Sequence, residues 1–270
     1  MTTEIFFLAI YVFLIGLAIG SFLNVVVYRL PLKQSLAKTG SHCPECDTPI
    51  KWYDNIPVLS YLLLRGKCRS CGMSISLRYP TVELLTALLF LAVLAKEALG
   101  NPDIMSLGAI LRLAAFLWFA AAMIAISYID AKHMLIPNKI TYPTFVAGLF
   151  LLLASDYTAW INMIWGVAAG AGVLLLLNLI SPLLFGKQGM GMGDVKLGAV
   201  IGLFLGWQLA LFSLFFASLL GTLFGLPKMF AGKEKRREPF GFGPFLAIGA
   251  LAAYFFGSPV ILWYLGLFRY

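Results

Sequence analysis

The sequence predicts an all-α polytopic membrane protein with about eight transmembrane helices and a small cysteine-bearing insertion after the first helix. Two observations carry this expectation. Of 270 residues, 61% are hydrophobic and only 12% are charged, against about 45–50% and about 25% in a soluble domain. With a mean hydropathy of +0.90, too little polar surface remains to coat a water-soluble globule, so the bilayer must take the excess. The apolar residues also fall into runs near the ~20 residues that cross a hydrocarbon core as a helix.

The runs are 5–28, 81–99, 110–129, 141–153, 161–184, 195–206, 209–229 and 244–256. The fourth, sixth and eighth are short, which fits a tilted or re-entrant segment. The apolar, aromatic tail 258–270 lengthens the eighth span or lies in the interface. The first run starts almost at Met1. Its leading residues carry Glu4 and no Lys or Arg, and no A-x-A-like cleavage site follows. It therefore reads as a retained helix rather than a signal peptide.

The net charge of +8 is unevenly placed. Eight spans put alternate connections on alternate sides. The connections 29–80, 130–140, 185–194 and 230–243 hold most of the basic residues, among them Arg29, Lys38, Lys187, Lys233, Lys235, Arg236 and Arg237. The positive-inside bias assigns these loops to the cytoplasm and both termini to the other side. Attraction to anionic lipid is the secondary effect expected of them. Nucleic acid is not an expected partner, because no basic stripe with interleaved aromatics occurs in a soluble domain.

The 29–80 connection is too long for a plain linker. It contains all four cysteines, as Cys43-x-x-Cys46 and Cys68-x-x-Cys71. Two such pairs about twenty residues apart have the spacing of a zinc knuckle. Each turn offers two thiolates to one side of a metal, and two turns close a tetrahedron. A disulfide framework is disfavoured on the reducing cytoplasmic side. Four protein ligands leave no open position, so the expected zinc is structural. In so small a loop it would supply much of the folding energy. Lys67 and Arg69 lie beside the second pair and would offset its negative charge. His42, next to Cys43, is a spare candidate ligand.

Two acidic residues stand at expected helix ends on the cytoplasmic boundary: Asp130 closes the third run, and Asp194 opens the sixth within Gly189-Met-Gly191-Met-Gly193-Asp194. An ionisable group at membrane depth is costly and is a functional candidate by default. Two neighbouring carboxylates do not easily both ionise, so one serves as acid while the other serves as base. Such a pair activates water against a peptide carbonyl without a covalent intermediate. The alternating glycines let another backbone come close. The plainer alternative is that Asp194 caps its helix, where an acid favours the positive N-terminal end, and that Asp130 merely meets water. A carrier using two acids as a proton relay, or a scaffold whose metal knuckle docks partners, stays open on the residues alone.

Several strings together resemble a known family. GSFLNVVVYRLP, the four-cysteine loop with YDNIPVLSYLLLRGKCRSCGMSISLRYPTVELLT, IDAKHMLIPNKIT, GMGMGDVKLGA and PFGFGPFLAIG follow the order found in bacterial prepilin leader peptidases. These are the GxGD-type intramembrane aspartyl proteases of type IV pilus and type II secretion systems. The resemblance runs over roughly residues 20 to 250. It implies cleavage of prepilin or pseudopilin leaders at the cytoplasmic membrane face, after a glycine and before a residue that is usually phenylalanine. Asp130 and Asp194 match the family's catalytic aspartates. It also implies N-methylation of the new N-terminus with S-adenosylmethionine, an activity tied to the cysteine-bearing half. Residues 1–100 are thus expected to form the methyltransferase module and 101–270 the peptidase domain, in the bacterial inner membrane.

Two positions depart from the family pattern. Asn138 stands where many members carry Asp, and Gln188 where an acid is common. No glycine-rich dinucleotide fingerprint is present, so the methyl donor must be held in another way. Asn24, Arg29, Arg78 and Glu83, polar at the helix ends bordering the metal loop, are the candidates, with interface anchoring or helix packing as the competing role. His133 near Asp130 and Lys196 after Asp194 are secondary candidates for tuning the acids, against the plainer readings of a solvated loop histidine and a lysine facing headgroups.

Overall fold

The computed structural model describes residues 3–36, 40–101, 103–156, 160–185, 190–230 and 241–267. Lys38, Lys187, Gln188, Gly189, Lys233, Lys235, Arg236 and Arg237, singled out above, lie outside the described residues. The chain divides into two compact units, Met1–Pro102 and Asp103–Tyr270.

In the N-terminal unit, α1 (Thr3–Arg29) leads into the cysteine loop. The loop holds a 3₁₀ turn at Trp52–Asn55 and a short α2 (Leu59–Leu63), and it feeds α3 (Arg78–Gly100). At 1.5 Å per residue, α1 is long enough to cross a bilayer, at about 40 Å. It packs antiparallel on α3 with backbones almost touching. A Cβ built on Gly16 would stand 2.6 Å from Ala87 Cα, and one on Gly20 would stand 2.6 Å from Glu83 Cα. One turn further on, the Asn24 side-chain amide donates to the carbonyl of Tyr79 across 3.1 Å. Each step of four on α1 thus meets a step of four back along α3. Small residues on such a seam are the means by which helices associate where no hydrophobic force acts between them.

The C-terminal unit comprises α4 (Leu107–His133), α5 (Asn138–Ser155), α6 (Trp160–Phe185), α7 (Met192–Phe230), α8 (Gly243–Ala252) and α9 (Ser258–Gly266). A single π turn, Ala253–Gly257, joins the last two. Helix α4 is the core. Phe119, Met123, Ile126 and Ile129 are almost wholly buried along it. Phe119 stacks on Phe204 of α7 with centroids 4.6 Å apart, and Phe116 stacks on Tyr254 of the π turn at 4.5 Å. Ser106 caps the start of α4 by accepting from the Ala109 N–H. At its end, Met134 takes a left-handed φ of 51° and returns its N–H to the Asp130 carbonyl. Pro137 forbids helical geometry just before it and opens α5, so Asp130 is fixed in the final turn of α4.

The expected spans 195–206 and 209–229 are the two arms of α7. They meet at Gly206, whose φ of 75° and ψ of 172° break the helical path, a conformation open to glycine and strained for other residues. The expected span 244–256 runs on through the π turn into α9. Five described helices are long and apolar enough to cross a membrane: α1, α4, α6, α7 and the α8–α9 stretch. Large apolar side chains such as Phe7, Leu14, Phe150 and Phe215 are exposed, as lipid-facing residues should be. The chain is a multi-pass membrane protein of nearly all-helical structure.

Candidate active site and metal centre

Asp130 sits in the last turn of α4 and Asp194 in the first turn of α7. Both are buried, at 4% and 9% exposure. Asp130 Oδ2 accepts the backbone N–H of Gly243 across 2.8 Å. Gly243 is the first residue of α8, so this carboxylate faces the positive end of a helix dipole. Asp194 Oδ2 accepts the Gly191 N–H at 3.1 Å, while its own N–H donates to the Gly191 carbonyl. That reaching back to the residue before the helix is one half of a capping box. The plain helix-end reading of Asp194 is therefore realised in the fold. It does not isolate the residue, because the charge of Asp130 acts on it. Two carboxylates far apart in sequence thus stand at helix ends within range of each other's charge.

The surroundings leave no room for side chains. A Cβ on Gly241 would run into Asp130 Oδ2, and one on Gly243 would stand 2.7 Å from it. A Cβ on Gly193 would press on Ile136 at 3.1 Å. Sequence reasoning gave Gly241 and Gly243 no role. The signal was present in the alternation Phe-Gly-Phe-Gly-Pro, which repeats the small-residue spacing seen before Asp194. Lys196 does not turn to the acids. Its Nζ donates to Asn138 Oδ1 across 2.9 Å and lies 5.3 Å from the centre of the Tyr142 ring. His133 is exposed at the end of α4.

The four cysteines form a second site. Their sulfurs all lie within 4.8 Å of one another, and no disulfide joins them. Both halves share one backbone plan. Cys43 N–H donates to Thr48 O and Asp47 N–H to Cys43 O, while Cys68 N–H donates to Met73 O and Gly72 N–H to Cys68 O. Asp47 and Gly72, at matching places, both have a left-handed φ. A tetrahedral zinc with bonds of ~2.3 Å requires sulfurs about 3.8 Å apart, and Cys43 Sγ lies 3.8 Å from Cys71 Sγ. The residues fit the ion.

The thiols differ in acidity. The Thr48 hydroxyl and backbone N–H beside Cys46 hold its thiol down at about 6. Backbone N–H groups of Cys71 and Ser70 also lower Cys68. At Cys71 the Met73 N–H pulls downward, but desolvation and the neighbouring sulfurs outweigh it and push the thiol up to about 12. A bound cation would reverse that crowding. His42 is not part of the cluster; its ring lies near the Gly40 carbonyl and Asp47. Arg69 does not serve the thiolates as the sequence suggested. Its guanidinium makes a two-point pair with Asp54, with the shortest contact at 2.6 Å, and lies over the Tyr53 ring, a more complementary partner for a planar fork.

Of the four polar candidates bordering the metal loop, Arg29 anchors the loop, donating to the carbonyls of Ser35 and Gly40. Asn24 and Glu83 share the α1–α3 seam. The Glu83 carboxylate accepts the N–H of Val58 at 2.7 Å. Arg78 lies over the Tyr79 ring.

These features define a class: a multi-pass membrane protein with a buried carboxylate pair at helix ends and a four-thiolate knuckle. Comparison with known proteins names the family. Residues 14–96 match the bacterial peptidase A24 N-terminal domain, and residues 117–226 match the type IV leader peptidase family. The chain is 38% identical to the prepilin leader peptidase/N-methyltransferase of Aeromonas hydrophila, over 94% of this chain and 92% of that one. It is 37% identical to the protein of that name from Myxococcus xanthus, over 83% and 64%. For the one from Klebsiella pneumoniae the figures are 42%, 73% and 85%. No solved structure matches the chain. The chain belongs to the prepilin leader peptidase/N-methyltransferase family.

Proposed function

We propose that this protein cleaves the leader peptides of type IV prepilins and pseudopilins with Asp130 and Asp194, and N-methylates the residue that cleavage exposes. The observation that carries the reading is that two buried carboxylates stand at the ends of α4 and α7, near enough for the charge of one to act on the other. One carboxylate takes a proton from water as its oxygen attacks the scissile carbonyl carbon. The other, protonated, donates to the carbonyl oxygen and takes a proton back from the tetrahedral intermediate's hydroxyl as it collapses, while the first passes the proton taken from water to the leaving amine. The Gly243 and Gly191 N–H groups fix one oxygen of each acid, which holds both in place as protons move. The apolar helix that follows the leader would lie in the bilayer, leaving a Gly-Phe type junction at the helix ends. The basic-loop bias supports a cytoplasmic-facing site in the bacterial inner membrane, with lipid as its surroundings and no nucleic-acid partner.

Cys43, Cys46, Cys68 and Cys71 would hold zinc. The ion would tie the two knuckles into one folded loop and, with four thiolate ligands, take no part in chemistry. S-adenosylmethionine supplies an electrophilic methyl group on sulfur. The N-terminal unit, residues 1–100 by the sequence division, is the module proposed to use it.

Mass spectrometry of a model substrate tests the reading. Incubation of the enzyme in lipid nanodiscs with a basic leader, a Gly-Phe junction and an apolar helix should give a product cut at that junction. With S-adenosylmethionine added, the product should gain a single methyl. An uncut substrate in the presence of folded enzyme would overturn the peptidase reading; a cut product without the methyl would overturn the second activity.

A further inference from the structure

Asn24 carries an unusual burden for a buried residue. It is 3% exposed, and both hydrogens of its amide are used, on the carbonyls of Gly20 and Tyr79. Its Oδ1 is buried and has no hydrogen-bond partner among the described residues. A buried acceptor left unpaired loses its hydration with nothing in return, and natural folds rarely carry one without a reason.

The next turn of the same seam carries a second acceptor. Glu83 is 7% exposed, stands against Gly20, and lies one helical turn, ~5.4 Å, along from Tyr79 and Asn24. Among the described residues it has no cationic partner in an ion pair. Its Oε2 holds the N–H of Val58, a β-branched residue at φ 60° and ψ −48°. Such a residue at positive φ is a genuine outlier, and strain of this kind persists where the surroundings enforce it. The cysteine loop is thus drawn onto the seam at this point.

The Val58 N–H and the Ser21 hydroxyl donate to the carboxylate, which still lacks a cation among the described residues, and the amide oxygen of Asn24 lacks any donor among them. The group that satisfies both is a primary ammonium, which brings three N–H donors and the charge that a buried carboxylate lacks. We propose that Asn24 and Glu83 form an ammonium-binding site in the N-terminal unit. This rests on the methyltransferase reading above. Under that reading two ligands bear the group: the amino-acid end of S-adenosylmethionine, and the N-terminal amine of the trimmed substrate. Glu83 and Asn24 bind and orient this amine; the structure assigns them no part in leader cleavage.

Equilibrium dialysis against full-length enzyme in nanodiscs tests the proposal. The probes are S-adenosylhomocysteine and its analogue lacking the α-amino group, and a peptide beginning with free phenylalanine and its N-acetylated twin. Glu83→Gln keeps an acceptor for Val58 but removes the charge, and Glu83→Asp keeps the charge. Glu83→Gln should weaken binding of one amine-bearing probe by at least about tenfold, the low end of a charge-assisted hydrogen bond, and leave its amine-free counterpart unchanged. Glu83→Asp should recover part of the loss. The probe that responds identifies the source of the ammonium. Equal weakening of a probe and its amine-free counterpart, or no weakening of either, would overturn the site. Zinc content and melting temperature, measured alongside, report whether the variants fold. If wild type binds neither class of probe and adds no methyl, the methyltransferase reading itself falls; if wild type methylates and Glu83→Gln binds every probe as wild type does, only the site falls.

Discussion

The backbone N–H of Gly243 meets Oδ2 of Asp130 across 2.8 Å, although the two residues are 113 positions apart. The start of α8 is thereby fastened to the end of α4, and a carboxylate is held by a helix N-terminus. Gly243→Ala keeps the N–H but would put a methyl 2.7 Å from the same oxygen. Such crowding in a packed site costs about 1–3 kcal/mol, and it falls on the reacting group. Leader cleavage should drop by about a hundredfold, with substrate binding little changed, since a misplacement of about 1 Å has that effect on oriented groups. A kcat and KM comparison checks it.

The thiolate site predicts about one zinc per chain by elemental analysis. Cys43→Ser should lose most of that metal. The loop should then become sensitive to trypsin at Arg65 and Lys67, because metal binding and folding are one equilibrium in so small a module. Methylation should fall with the metal, while cleavage by the Asp130–Asp194 pair should persist.

The Asp54–Arg69 pair gives a pH dependence with a definite sign. The guanidinium beside Asp54 holds its carboxyl below the usual carboxylate range. In the unfolded chain that carboxyl has its ordinary affinity for protons. The pair therefore contributes fully above the ordinary carboxylate range, and its contribution is lost as pH falls through the lowered value. The difference in melting temperature between wild type and Asp54→Asn should be constant near neutrality and vanish in acid. The effect is small, because the Arg69 half of the pair is open to solvent.

Asn138→Asp would place a carboxylate 2.9 Å from Lys196 Nζ. An exposed ion pair contributes about 0.2–1 kcal/mol. A rise in melting temperature of a few degrees at most, with cleavage within about twofold of wild type, is expected from thermal unfolding and rate measurements.

Much of this structure was legible in the residues because the bilayer imposes simple periodicities. The eight apolar runs correspond to the helices, and even the short sixth run has its explanation in the break at Gly206. The CxxC pairs announced their own geometry, because a tetrahedral ion admits few spacings. What the sequence did not reveal lies in tertiary contacts between distant small residues. Gly243 and Gly241 look like turn glycines until α8 folds back on Asp130. Gly20 looks like an ordinary helix position until Glu83 is seen against it. Arg69 was assigned to the thiolates by proximity in sequence, whereas its fork found Asp54 across the loop. The doubling of Asp194 as helix cap and member of the carboxylate pair was likewise hidden, because each reading alone explains the residue.

The most direct test of the account replaces one carboxylate oxygen. Asp130→Asn and Asp194→Asn keep an acceptor for the Gly243 and Gly191 N–H groups but remove acid–base function. The measurement is the cleavage rate of the model prepilin by each variant in nanodiscs, with melting temperature as the folding control. The account predicts that both variants fold and bind substrate but cut it more than about a thousandfold more slowly, as expected when a group central to the chemistry is removed. Cleavage near the wild-type rate by either folded variant would contradict it.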